Sequence, residues 1–230
     1  MLDQIFRNMT PVVKNLLILN VLFFIATLIL QTKGIDLVDL LSSRHYSNPD
    51  FRPYQLITGM FMHAGFLHLL MNMLALVSLG SILEQNWGAS KFLIFYFVSG
   101  FSAEILQVLY NTIAFYYYTG FFNIDMGSLY PEEVIGNISR IYFTKHLGAS
   151  GAIFGILSAF YKYYPNTEMN IMFIPYPIKM KYLFPGLIII SIILVFFPMV
   201  INIGHVAHLG GALGGYILVL FWQKDKRNFY

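Results

Sequence analysis

Six stretches of the chain are apolar around their whole circumference, and the polar residues gather between them. They cover Val12–Gln31, Tyr54–Leu83, Phe92–Tyr118, Leu147–Tyr161, Tyr182–Phe197 and His205–Trp222. A helix needs about 20 such residues to cross a hydrocarbon core of about 30 Å. The pattern therefore predicts an all-α membrane protein, a polytopic bundle of six transmembrane helices. Runs this uniform carry no amphipathic period, because every side meets either lipid or another apolar helix. The second and third runs exceed the membrane thickness and are expected to tilt or protrude. The fourth and fifth are short and suit helices held inside a bundle where the bilayer thins. With short connections between the runs, residues 1–230 are expected to form one transmembrane domain with no room for a separate soluble one.

Composition supports that picture. Apolar residues make up 57% of the chain, charged residues 11%, and the mean hydropathy is +0.65. Soluble chains average about 25% charged, so most of this surface faces lipid. Arg7 and Lys14 before an apolar stretch resemble a signal peptide, but no small-x-small site follows Leu30 and further runs come after it. The first run is expected to stay as a membrane span. With the N-terminus inside, nine lysines and arginines fall on the cytoplasmic side and five outside (Lys33, Arg44, Arg52, Arg140, Lys145). That bias, with an even number of spans, predicts both termini in the cytoplasm. An impermeant reagent should then reach a cysteine at Ser128 from outside, and one at Asn228 only after lysis. The lack of any targeting extension before the first run suggests a bacterial inner membrane, and no nucleic-acid partner is expected. The chain has no cysteine, which excludes disulfides and thiolate chemistry.

Two outer connections stand out. Thr32–Pro53 holds an apolar patch (Ile35, Leu37, Val38, Leu40, Leu41) that fits a helix lying in the interface. Thr119–His146 is rich in aromatics and carries Glu132 and Glu133; composition fits a lid and a linker equally. Asn137-Ile-Ser is a formal glycosylation triplet, a pattern short enough to arise by chance.

Candidate chemistry lies at the outer ends of the second, fourth and sixth runs, which this orientation sends in the same direction. Ser150 sits in Gly148-Ala-Ser-Gly151 at the start of the fourth run. A serine hydroxyl becomes a nucleophile when a base takes its proton. Flanking glycines allow close approach, and a helix N-terminus offers free N–H groups to an oxyanion. The same glycines read as packing: Gly151 with Gly155, and Gly210 with Gly214, form Gly-x-x-x-Gly pairs that let membrane helices touch. His208, near the start of the sixth run, is the candidate base, since an ionisable side chain inside a span is costly and marks function. Phe154, one turn after Ser150 on the same face, reads equally as a ring stacked on His208 and as a lipid-facing or core aromatic. In the second run, His68 and Asn72 lie about 40° apart on one helical face, and both donate hydrogen bonds suited to an oxyanion. His63 is rotated about 140° from His68 and is expected to hold the adjoining loop, and His205 to be structural.

Together these pieces resemble the rhomboid family of intramembrane serine proteases. The matching residues are His63-x4-His68-x3-Asn72, Gly-Ala-Ser150-Gly and Ala-His208-Leu-Gly-Gly, with Gly80-x3-Glu84 after the second run and Arg52 before it. The resemblance covers nearly the whole chain. It implies a Ser150–His208 dyad without an acidic third member. It also implies an oxyanion site of Asn72, His68 and the Ser150 N–H, with Phe154 packed on the base. The implied activity is hydrolysis of membrane-anchored proteins near the outer face, with no cofactor and no metal. The long Thr119–His146 connection departs from the tighter loop of many relatives. The strongest rival is a metal transporter built on His63, His68, His205 and His208. It is disfavoured because Glu104 is the lone intramembrane carboxylate and lies in a run without histidine. Neither a Gly-x-Gly-Asp aspartyl motif nor a complete Glu-Glu-x3-Arg motif is present, and a protease-dead relative would not be expected to keep both Ser150 and His208.

Overall fold

In a computed structural model, residues 9–122, 130–170, 175–196 and 204–227 are described; Ser128, Phe197 and Asn228 lie outside them. The protein is mostly helical. In chain order the elements are α1 (Pro11–Gln31), α2 (Leu37–Leu41), α3 (Gln55–Thr58), α4 (Phe66–Trp87), α5 (Ala89–Thr119), α6 (Glu132–Phe143), α7 (Ser150–Tyr163), α8 (Met180–Phe196) and α9 (His205–Arg227). Four of them, α1, α4, α5 and α9, are long and apolar enough to cross a membrane. The exposed faces of α1 (Ile18, Leu22, Leu28, Ile29) and α8 (Ile189, Ile190, Ile193) are apolar, as lipid contact requires.

The apolar run from Tyr54 is not one helix. It passes through α3, a 3₁₀ turn at Gly59–Phe61 and a non-helical stretch before α4 begins at Phe66. Composition could not reveal the break, because both sides of it are equally apolar. The Gly59 carbonyl, freed from a regular ladder, accepts the Gly148 N–H at 2.9 Å. Within α4 a π-helical turn spans Leu76–Gly80. Among the described residues one short strand pair accompanies the helices. Glu168–Met169 pairs antiparallel with Ile178–Lys179 in the α7–α8 connection, a ribbon too short to leave a two-residue period in the sequence.

Glu84, at the far end of α4, closes the start of α1. Its carboxylate accepts the Thr10 hydroxyl and the N–H groups of Val12 (3.0 Å) and Val13 (2.9 Å). Those donors have no partner inside α1, and a negative group suits a helix N-terminus. Gly80, one turn earlier, permits the approach: a Cβ there would lie 3.0 Å from the Phe92 ring and 3.1 Å from Val13.

The centre of the bundle is a seam of small residues. A Cβ on Gly211 would overlap the Gly151 carbonyl, and one on Gly215 would lie 2.7 Å from the Gly155 Cα. Both numbers rise together, so α7 and α9 run parallel. Gly151 abuts Ala103 and Gly155 abuts Ser99, so α5 runs opposite to both. Of α7, nine residues from Gly151 to Phe160 are buried, which makes it the central helix. The seam puts the first residues of α7 and α9 at one end of the bundle.

Residues 36–59 and 130–148 form a cap over that end. Asp36 caps the five-residue α2 by accepting the Asp39 N–H at 2.9 Å. Arg44, almost fully buried, pairs with Asp39 (3.1 Å) and Asp50 (3.5 Å), and Lys145 pairs with Asp39 (2.8 Å). Ser43 and His146 exchange backbone hydrogen bonds of 2.9 and 2.7 Å. Helix α6 occupies a portion of the Thr119–His146 connection and buries Ile138 and Tyr142 against Phe115 of α5.

Candidate active site

Ser150 is the first residue of α7, and Gly148 turns the chain into it. Gly148 has φ +118°, a backbone conformation that L side chains rarely adopt, and a Cβ there would lie 2.8 Å from His68 Cε1. Glycine thus both makes the turn and leaves room for the imidazole. Across the seam, His208 Nε2 lies 2.9 Å from Ser150 Oγ. At that distance the serine hydroxyl can donate to the ring, the geometry of a nucleophile beside its base. The Phe154 ring stacks on His208 at 4.2 Å between centroids and 7° between planes, fixing the tilt of the imidazole. Among the described residues, no carboxylate is bonded to His208.

His68 and Asn72 meet the same site from α4. His68 Nδ1 accepts a long 3.5 Å hydrogen bond from the Ala64 N–H, leaving Nε2 as the protonated nitrogen facing Gly148. Asn72 is buried, and its Nδ2 has no hydrogen-bond partner among the described residues. A buried donor left unpaired is costly, so an acceptor in the cavity would relieve it. His68, Asn72, Gly148, Ser150, Gly151, Phe154 and His208 all line one cavity of about 1090 Å³.

The remaining histidines stand behind this layer. His63 is buried, with Nδ1 3.3 Å from the Phe61 carbonyl and its ring edge-on to His68 at 4.9 Å. Its partner Phe61 belongs to the 3₁₀ turn before α4. His205 meets His208 edge-on at 5.9 Å, whereas the imidazole hydrogen-bonded to Ser150 Oγ is that of His208. Arg52 donates to the Pro49 and Phe51 carbonyls at 2.7 and 2.8 Å. Among the described residues no three His, Cys, Asp or Glu side chains come together to share a metal ion.

Sequence reasoning missed a polar column beside the site. On α5, Gln107 Nε2 donates to Asn111 Oδ1 (3.1 Å), and Asn111 Nδ2 lies 3.1 Å from His146 Nε2. All three residues are buried. Nearby, the Ser47 N–H donates to His45 Nδ1 (3.2 Å), and Thr112 Oγ1, which donates to the Val108 carbonyl, lies 3.3 Å from His45 Nε2. His45 therefore carries its proton on Nε2, and His146, receiving an N–H, carries its own on Nδ1. Burial pushes both down to about 4, with the charge of His45 a smaller cause at His146, so both are neutral at pH 7. The signal was present: Glu104, Gln107 and Asn111 recur at a helical spacing along one face of an otherwise apolar helix.

A family model described as the rhomboid domain matches residues 50–224. The chain is 30% identical over 164 residues to rhomboid protease GluP of Bacillus subtilis, covering 71% of this chain and 25% of that protein. It is 29% identical over 163 residues to rhomboid protease AarA of Providencia stuartii (70% and 52%). It is 23% identical over 177 residues to rhomboid-like protease 3 of Toxoplasma gondii (76% and 54%). The chain thus spans from a quarter to about half of the length of these curated relatives.

Proposed function

The chain belongs to the rhomboid family, and from that premise we propose that it is an intramembrane serine endopeptidase working through a Ser150–His208 dyad. The observation that carries this reading is the 2.9 Å contact between His208 Nε2 and Ser150 Oγ inside a cavity. His208 takes the Ser150 proton as Oγ attacks the scissile carbonyl. The oxyanion then draws on the unpaired Asn72 Nδ2, the His68 Nε2–H and the Ser150 N–H, donors already oriented before charge develops. His208 returns the proton to the leaving amine, and a water deprotonated by the same ring hydrolyses the acyl-enzyme. No step calls for a third, acidic member or a cofactor.

The substrates we propose are single-span membrane proteins, cut at a small residue near the outer boundary. α7 is 14 residues, about 21 Å at 1.5 Å per residue, shorter than a core of about 30 Å. Its N-terminus can therefore lie below the surface while its other end reaches the opposite side. A spanning helix hides its peptide bonds in its own hydrogen bonds, so the segment must unwind before attack. Glycine and proline, which weaken a helix by about 1 and 3 kcal/mol, should favour cleavage.

The parallel course of α7 and α9, both antiparallel to α5, supports an intervening crossing and six in all, and the lysine and arginine bias favours both termini inside. The proposed address is a bacterial inner membrane. Impermeant labelling of Ser128→Cys in intact cells, and of Asn228→Cys only after lysis, tests the orientation. In proteoliposomes, a single-span reporter with glycine or proline near its outer end should be cleaved by the wild-type protein and left intact by Ser150→Ala. Equal cleavage by both would overturn the reading.

A further inference from the structure

Resting on that functional reading, we propose that the buried column Gln107–Asn111–His146 is a positioning device: it holds the turn before Ser150, and with it the oxyanion side of the site, against α5. His146 precedes Gly148 by two residues and Ser150 by four. Its backbone is tied to Ser43 by hydrogen bonds of 2.9 and 2.7 Å, and the Gly148 N–H is tied to the Gly59 carbonyl at 2.9 Å. These anchors belong to non-helical or short helical segments of the cap. The ring of His146 is different, because it is tied to a long helix through Asn111.

That same helix touches α7 on the other side of Ser150, where Ala103 abuts Gly151. Ala103 and Asn111 are eight residues apart, about 12 Å along α5. Ser150 and the Gly148 turn are therefore held between two fixed points on one rigid element. Below, the contact is apolar and close; above, it is a hydrogen bond.

The column has a direction. Gln107 donates to Asn111, which presents its carbonyl to Gln107 and its NH₂ to His146 Nε2. Reversing Asn111 would set its NH₂ against that of Gln107. With Asn111 so oriented, position 146 offers the acceptor, which a neutral histidine does. None of the three side chains needs to touch a reacting atom: they set where Gly148, and hence the His68 ring against it, stands relative to Ser150 Oγ.

The test is the rate at which a fluorophosphonate probe modifies Ser150 in the full chain, resolved into kinact and KI, with thermal stability measured alongside. A displacement near 1 Å can cost as much as about 10²-fold. His146→Leu and Asn111→Leu should therefore each lower kinact by about tenfold or more while leaving KI unchanged. His146→Gln, whose Oε1 can accept from Asn111, should restore most of the rate. Wild-type rates in both leucine variants, a glutamine variant as slow as leucine, or a loss confined to KI would each overturn the proposal. If His146→Leu does not fold, Asn111→Leu and the glutamine variant decide. A wild-type protein that fails to label at Ser150 would overturn the functional reading and this inference with it, whereas a labelled wild type with unaffected variants overturns the inference alone.

Discussion

Two regions meet at Ser150 and are held by different physics. Beneath it lies the seam of α5, α7 and α9, where Gly151, Gly155, Gly211 and Gly215 bring the backbones of α7 and α9 together and leave only small side chains such as Ala103 and Ser99 against α5. Above it lies the cap of α2, α3 and the residue 144–148 segment, joined by ion pairs, backbone bridges and buried imidazoles. The seam has no alternative arrangement, because any added atom must push the helices apart. The cap is a set of exchangeable polar contacts, some of them open to water. The Ser150–His208 contact spans the seam, so its distance is set by the more tightly packed region. The proposed oxyanion side, His68 and Asn72 facing Gly148, depends on both.

The sharpest break of this contrast is in the seam itself. Gly211→Val would drive a branched side chain into the Gly151 backbone. Overpacking alone costs about 1–3 kcal/mol, and here the helices must separate. Activity should fall below detection, with a lower thermal transition in detergent. Ser150→Ala and His208→Ala should remove activity as fully without lowering that transition, whereas His205→Ala should keep most of it. Equal loss at both histidines would contradict the assignment of the base.

A smaller effect is expected on the oxyanion side. Removing one donor commonly costs 10²–10³ in rate, and sharing among three groups should hold Asn72→Ala near the lower end. The loss should appear in turnover more than in substrate binding. Unchanged turnover would make Asn72 a packing residue.

Much of the site is legible in the sequence, because a few reactive side chains stand out in apolar runs. Ser150, His208, His68 and Asn72 stand out in that way, and the structure puts them around one cavity. The glycine spacing at 151/155 points to helix contact, and those residues do touch a neighbouring helix. What escapes is whatever breaks the pattern without changing composition. Tyr54–Leu83 stays apolar through the turn at Gly59, so nothing marks the start of α4. His146 falls just outside an apolar run, and its partner Asn111 is distant in sequence, so the column emerges only once α5 is set beside the cap.

The cap's ionic contacts should matter less than its buried ones. The hydrogen bond from Lys145 is the main reason the Asp39 carboxyl stays below its usual range; burial opposes it, and the lysine charge and Arg44 add to the lowering. Exposed pairs contribute about 0–1 kcal/mol, so Lys145→Met should change activity only a few-fold, and added salt should mimic some of the change.

The smallest expected effect is on stability against pH. His45 and His146 are held near 4 in the folded protein against about 6.5 unfolded. Between those values the unfolded chain binds protons that the folded one refuses. Their contribution is therefore full above about pH 6.5 and declines as pH falls toward 4. The thermal transition should drop over that window, less steeply in the His45→Gln, His146→Gln double variant. An identical slope in the variant would show that neither imidazole is buried neutral.

The most direct test of the central claim is to treat the purified protein with a fluorophosphonate and map the modified residue by peptide mass spectrometry. If His208 activates Ser150 across the seam, the phosphonyl group will be found on Ser150, and labelling will vanish in His208→Ala while the fold persists. Modification at another serine, or undiminished labelling of Ser150 without His208, would contradict it.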